Sequence, residues 1–214
     1  MNKIKLIPIR THLITNKDDI VEVIENYTKK IVTDKDVICI AESVLAISQG
    51  RYFKPSKINP SILSRTLCHY TKRDGNLTNP ASMELAAKEV GKVRLLLGAI
   101  LGGAGKLLLK KDGVFYQLAG SEVARIDDVA RTMHPFDHYI VLGPKEPEKV
   151  SKQIAEKTNA SCAIVDVNDL GFVDVLGASS GLDKDKLEEL LKTNPFGNDD
   201  QNTPITIIKN YFSH

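Results

Sequence analysis

Asp36-Val37-Ile38-Cys39-Ile40-Ala41-Glu42-Ser43 is the stretch on which the reading of the fold turns. Its apolar residues run without interruption from Val37 to Ala41, which is the pattern of a short strand covered on both faces. The strand delivers Glu42 and Ser43 to its C-terminal end, the position at which α/β sheets commonly carry ligands. A second run of the same kind, Ala163 to Val167, leads into Asp166-Val167-Asn168-Asp169. Phe172 to Leu176 continues it after Gly171, while Tyr139 to Leu142 and Ile205 to Ile208 read as further strands. Lys3 to Ile9 is another strand, and Pro8 near its end, which cannot donate to a ladder, marks either an edge or a strand terminus.

Helical patterns lie between these runs. Asn16 is a candidate cap for a helix with Asp18 and Asp19 in its first turn and Ile20, Val23, Ile24 and Tyr27 on one face. Glu148 to Thr158 and Lys184 to Thr193, the latter capped by Asp183, are two more helices. Ala81 to Leu101 has helical spacing broken by Gly91 and runs into the glycines of 98–105, which should loosen the connection. Lys106 to Leu109 and Val114 to Leu118 flank Lys110-Lys111-Asp112-Gly113, and Asp-Gly between apolar segments predicts a β-hairpin. Helices and strands alternate without internal repeats, so the class is α/β, of mixed α+β character.

The composition excludes several functions. Across 214 residues, 42% are hydrophobic and 26% charged, ordinary values for a globular chain with a genuine core. A formal net charge of +2 gives no whole-molecule field to attract nucleic acid. The three cysteines, Cys39, Cys68 and Cys162, form no C-x-x-C pair, which disfavours a zinc site or a disulfide framework. The N-terminal apolar run is too short for a signal peptide, and nothing later approaches the ~20 apolar residues of a membrane span. The expectation is a cytoplasmic protein with neither nucleic acid nor membrane as partner.

Two polar segments could carry chemistry. Carboxylate and amide oxygens at the end of a buried strand, as in Asp166 to Asp169, suit a hard divalent cation, while an Asx turn is the structural alternative. Asn194 to Pro204 is either a surface loop or a lid closing over a metal-bound nucleotide. Three other motifs carry less. Gly102 to Leu107 lacks the first glycine of a phosphate loop and has Leu107 where the metal-binding hydroxyl belongs. Gly177-Ala178-Ser179-Ser180-Gly181 fits the nucleophile-elbow spacing, but His214 is the one histidine downstream. His134 and His138 are interrupted by Pro135 and lack the glutamate of a zincin pattern.

Taken together, Ile7-Pro8-Ile9, Asp18-Asp19-Ile20, the strand from Asp36 to Ala41, Gly50-Arg51, Ala119-Gly120, Asp166-Val167-Asn168 and the segment from Gly197 to Ile208 resemble the coenzyme F-420 gamma-glutamyl ligase family. The resemblance is to a divergent branch of that family. It implies a two-part gamma-glutamyl-ligase-like fold with mixed sheets, built as one unit over residues 1–214 or as two intertwined subdomains. It further implies a homodimer that uses Mg²⁺ or Mn²⁺ and GTP, or ATP, to join an amino acid such as L-glutamate to a small carboxylate through an acyl phosphate. Carried over position by position, it places nucleotide contacts at His12, Leu13, Glu42, Ser43, Arg125, Asn198, Gln201, Asn202 and Thr203. It places metal ligands at Glu122, at Asp166 and at the backbone of Val167, with Asn168 matching the Asn of the same segment. The chain also departs from the family: Ala46 and Ile47 occupy its Ser-Lys pair, which removes a phosphate-facing positive charge.

Overall fold

A computed structural model describes residues 3–70, 77–109, 114–127, 129, 132, 134–197 and 201–212. In chain order the elements are β1 (Lys5–Ile9), α1 (Ile20–Thr28), β2 (Val37–Ala41), α2 (Glu42–Ser48), β3 (Tyr52–Phe53), α3 (Ile62–Leu67), α4 (Pro80–Val90) and α5 (Lys92–Leu109). There follow α6 (Val114–Ala119), α7 (Ser121–Ala124), β4 (Ile140–Val141), α8 (Pro147–Thr158), β5 (Ser161–Val167), β6 (Val173–Ala178), α9 (Lys184–Leu191) and β7 (Ile205–Lys209). Contacts divide the chain into two units, residues 1–51 with 144–214 and residues 52–143.

The first unit is built on a five-stranded sheet of order β1-β7-β2-β5-β6. β2 and β5 run parallel, with Ala41 beside Val165, and the other pairs are antiparallel. The mixed sheet explains the unbroken apolar runs, because helices cover both faces. On one face Ile38, Ile40, Cys162, Ile164 and Ile205 pack against Ile24 of α1 and Ile154 of α8. On the other, Val37, Cys39, Ala163, Val165 and Ile208 meet Leu187 and Leu191 of α9. β1 is an edge strand, one of the two placements that Pro8 marks. Residues 173–178 form a strand that folds back antiparallel on β5, with Val167 opposite Val173.

Two local readings change. The cap of α1 is Asp19, whose carboxylate accepts from the backbone N–H groups of Val21 and Glu22, and not Asn16. Asp18 instead closes the preceding turn, accepting from Thr15 N at 2.8 Å and Thr15 Oγ1 at 3.0 Å. Asp183 caps α9 as read, accepting from Lys186 N at 3.2 Å.

The second unit is mainly helical around a core that includes Leu77, Met83, Leu95, Val123, Ile126 and Ile140. β3 and β4 form a two-stranded sheet within it. The hairpin expected around Asp112-Gly113 is not formed: the segments on either side are the helices α5 and α6, while residues 110–113 lie outside the described residues. Leu107, Leu108 and Leu109 suit either period, and helix propensity summed over α5 outweighs its glycines. The glycine-rich segment 98–105 therefore runs inside a helix, and Gly91, at φ +86°, separates α5 from α4. No helix among the described residues is long and apolar enough to cross a membrane.

Candidate functional site

The topology gathers chain ends at one rim of the sheet. β2 and β5 are parallel, so both finish there. β7, antiparallel to β2, begins there, and β1, antiparallel to β7, ends beside it with Ile9 opposite Ile205. β6, antiparallel to β5, also begins there. The rim accordingly receives the loop after β1 with His12 and Leu13, the start of α2 with Glu42 and Ser43, the end of β5 with Asp166 and Val167, and the approach to β7 with Gln201, Asn202 and Thr203.

Hydrogen bonds join these segments. Thr11 N donates to the Asn202 carbonyl at 3.1 Å, and Asn202 Nδ2 donates back to the Thr11 carbonyl at 2.8 Å. Ala41 N donates to the Pro204 carbonyl at 3.0 Å, fixing this loop to the end of β2. Asn202 adopts a left-handed backbone, φ +48°, which its amide side chain tolerates better than most. Further back, Thr203 Oγ1 donates to the Phe196 carbonyl, and Asn194 Nδ2 donates to Asp169 Oδ1 at 2.8 Å. The Gln201 amide folds over Gly197, where any side chain would collide with it. The described ends of this segment, read as either a surface loop or a lid, are thus tied by hydrogen bonds. Asn198, Asp199 and Asp200 lie outside the described residues.

His12 is exposed and oriented from two sides. Its Nε2 lies 3.3 Å from Asp18 Oδ1 and its Nδ1 3.2 Å from Tyr27 Oη, while its backbone N donates to the same phenol at 3.0 Å. Hydrogen bonds from the Thr15 backbone and hydroxyl hold the Asp18 carboxyl below its usual range, with His12 adding to the effect. Sequence reading missed Asp18 and Tyr27 in this role, although an acidic residue six positions from His12, in the turn before α1, was a visible signal. Glu42 is 8% exposed at the junction of β2 and α2.

At the end of β5, Asp166 is half-buried and faces Asp174 directly across the hairpin. Directly opposed residues of an antiparallel pair share one face, with Cβ atoms about 4.5–5.5 Å apart, and like charges there repel. A pair of carboxylates in this register suits a hard cation that takes oxygen ligands. Asn168 serves the backbone instead. Its Oδ1 accepts from Leu170 N at 3.0 Å and Phe172 N at 3.1 Å, which is the Asx turn closing the hairpin. Asp174 was not among the expected ligands, because its partnership with Asp166 depends on register. Among the described residues, no group of three His, Cys, Asp or Glu side chains converges as a metal cage.

Glu122 and Arg125 belong to the second unit. Glu122 is exposed at the start of α7, where its Oε2 and an Arg94 guanidinium nitrogen lie in the space that a Cβ on Gly120 would need, 2.6 and 2.9 Å from it. The aliphatic part of Arg125 packs on Gly143.

The remaining motifs resolve structurally. Ser179 is buried, and its Oγ accepts from Cys162 N at 3.0 Å, which makes it a stitch between strands. His134 and His138 are both exposed and flank Asp137, at 3.4 and 3.7 Å.

A sequence profile described as F420-0:Gamma-glutamyl ligase matches residues 8–170. The chain belongs to that family. The matched span runs from within β1 through β5 and contains the whole of the second unit. The segment from 194 to 204, with Gln201, Asn202 and Thr203, falls beyond it. No curated protein matches the chain.

Proposed function

We propose that this member of the family is a nucleotide- and divalent-metal-dependent amide ligase of a divergent branch, forming gamma-glutamyl-type bonds on a small carboxylate through an acyl phosphate. The observation that carries the reading is the shared rim, where loops 10–13 and 201–204 are hydrogen-bonded together beside the ends of β2 and β5. In this reading His12, Leu13, Glu42, Ser43, Gln201, Asn202 and Thr203 bind GTP or ATP, with Asn198 and Arg125 completing the set. Mg²⁺ or Mn²⁺ would be held at Asp166 and the Val167 backbone, with Glu122 assigned to it by the family resemblance alone, and the donor chemistry of Asp166 fits, since carboxylate oxygens are what such ions take. A small protein ligand set is normal for Mg²⁺, which keeps waters and phosphate oxygens in its shell. When bound, the metal supplies charge neutralisation at the phosphates.

The reaction is two displacements. A carboxylate oxygen of the acceptor attacks the γ-phosphorus, and the nucleoside diphosphate leaves as the acyl phosphate forms. The amine of L-glutamate or a similar amino acid then attacks the acyl carbon, releasing inorganic phosphate and a proton. Positioning supplies most of the rate in such transfers. The family likeness also supports a homodimer.

A second reading, a non-catalytic nucleotide- or metal-binding descendant with a regulatory role, is favoured by one observation. Ala46 and Ile47, which replace the family's Ser-Lys pair, are 0% and 1% exposed, so no cation stands there to meet a phosphate. A charge-assisted hydrogen bond of that kind contributes about 1.5–3 kcal/mol. Phosphate release from GTP or ATP with Mn²⁺, measured with and without a carboxylate plus an amino acid, separates the two. Release that needs both cosubstrates supports the ligase, and nucleotide binding without any release supports the descendant.

A further inference from the structure

The loop after β1 presents a histidine whose two ring nitrogens have different partners. Tyr27 Oη accepts from the His12 backbone N–H at 3.0 Å, so its own hydrogen is left to donate, and His12 Nδ1 lies 3.2 Å away to receive it. Nδ1 is then the acceptor of the ring, and the ring proton sits on Nε2, facing Asp18 Oδ1 at 3.3 Å. The second Asp18 oxygen is taken by Thr15 N and Thr15 Oγ1, which turns Oδ1 to the imidazole. The Thr15 backbone bond above all holds the Asp18 carboxyl below its usual range, so Asp18 stays an anion. A carboxylate fixed on the protonated nitrogen of a histidine sets the tautomer and stabilises the imidazolium that forms when the other nitrogen takes a proton.

The amide-forming step of the proposed function needs such a group. An amino acid carries its amine as an ammonium ion at neutral pH, and the nitrogen has no lone pair for attack until a proton leaves it. Among the rim residues assigned above, Gln201, Asn202 and Thr203 have no basic atom, Asp166 is given to the metal, and carboxylates are weaker bases than an imidazole. The His12 side chain is 47% exposed, so a ligand can reach it. Its neighbour Thr11 exchanges hydrogen bonds with Asn202, which fixes this segment to the loop before β7.

We infer that His12 is the proton acceptor of the amide-forming step, with Nδ1 as the receiving atom and Asp18 as the positioning residue that fixes its tautomer. The ammonium displaces the Tyr27 hydroxyl from Nδ1 and gives up one proton there. The freed amine bonds to the acyl carbon, the bond from that carbon to the phosphate oxygen breaks, and a second nitrogen proton leaves with the phosphate. His12 then returns its proton to water. This rests on the ligase reading and adds a task to a residue that reading already places beside the nucleotide.

Hydroxylamine separates the two steps, because it is largely unprotonated at neutral pH and traps an acyl phosphate without a base. The full chain is given GTP or ATP, Mn²⁺ and one of acetate, lactate, succinate or L-glutamate, with either L-glutamate or hydroxylamine as the amine. In Asp18→Asn and in His12→Gln the ratio of amide to hydroxamate should fall roughly a hundredfold, the scale of general-base catalysis. An unchanged ratio, including an equal loss of both products, would make the three residues a clip between the loop and α1; it overturns the inference and leaves the ligase standing. A wild type that forms neither product from any of these carboxylates overturns the ligase and the inference together. A second measurement needs neither substrate nor variant. Long-range nitrogen–proton correlation spectra of the wild type at about pH 8, where an ordinary histidine is neutral, should show the His12 proton on Nε2. A proton on Nδ1 would leave no acceptor there and overturn the inference whatever the reaction.

Discussion

Glu84 is buried in α4, and its Oε2 collects three donors from the start of α3: Ser61 N at 2.9 Å, Ser61 Oγ at 2.7 Å and Ser64 Oγ at 2.7 Å. Burial opposes the charge, but these hydrogen bonds and the nearby Lys92 outweigh it and hold the carboxyl at about 2. A carboxyl depressed in the folded state contributes stability in full above its unfolded value, ~4.3. That contribution falls away as the pH drops from there towards 2. Glu84→Gln should therefore lower the melting temperature at pH 7, by the equivalent of about 1–3 kcal/mol. It should also flatten the loss of stability between pH 4.5 and 2, and an equally steep acid profile in the variant would show the carboxylate to be a bystander. Asp166 makes the corresponding case for function. Asp166→Asn removes one charge from the pair opposite Asp174, and calorimetric titration should show Mn²⁺ affinity reduced roughly tenfold or more, because the ion takes ionised oxygen ligands. Unchanged affinity would remove Asp166 from the proposed metal site. Asp166 was legible because it ends an apolar run, whereas Asp174 and the Asp18–His12–Tyr27 contacts were not, since pairing register and side-chain direction are tertiary facts.

Strands and helices were legible where burial imposed a single pattern. Val37 to Ala41 and Ala163 to Val167 read as strands because helices cover both faces, and α9 was marked by its Asp183 cap. The reading failed where residues satisfied both periods: Val114 to Leu118 alternates tolerably for a strand, yet it is helix α6, fixed by packing against α5. Gly177 shows an element-scale constraint that composition conceals. It lies in β6 beneath the first turn of α8, and a Cβ there would stand 2.3 Å from Glu148 N and 2.4 Å from the Pro147 carbonyl carbon. Backbone cannot yield as a flexible side chain can, so Gly177→Ala must push helix from sheet. Chemical denaturation should show a loss of about 1–3 kcal/mol. A variant as stable as the wild type would mean that α8 is free to shift.

The two units divide the candidate residues between them: the rim of the five-stranded sheet belongs to the first, and Glu122 with Arg125 to the second. Sequence reading identified the family through short motifs spread along the chain, and the profile match over residues 8–170 agrees with it. It could not see that the segments of the rim meet, because Thr11 and Asn202 are brought together only when β1 and β2 both pair with β7. The chain's central property, in the proposed function, is that it couples nucleotide cleavage to amide formation. The most direct measurement is phosphate release from GTP or ATP with Mn²⁺ by the full chain, run with L-glutamate and a panel of small carboxylates, each omitted in turn. Release is expected only when nucleotide, metal, carboxylate and amine are all present, and it should be lost in Asp166→Asn. Release that ignores both cosubstrates, or nucleotide that binds and is never cleaved with any carboxylate, would contradict the ligase.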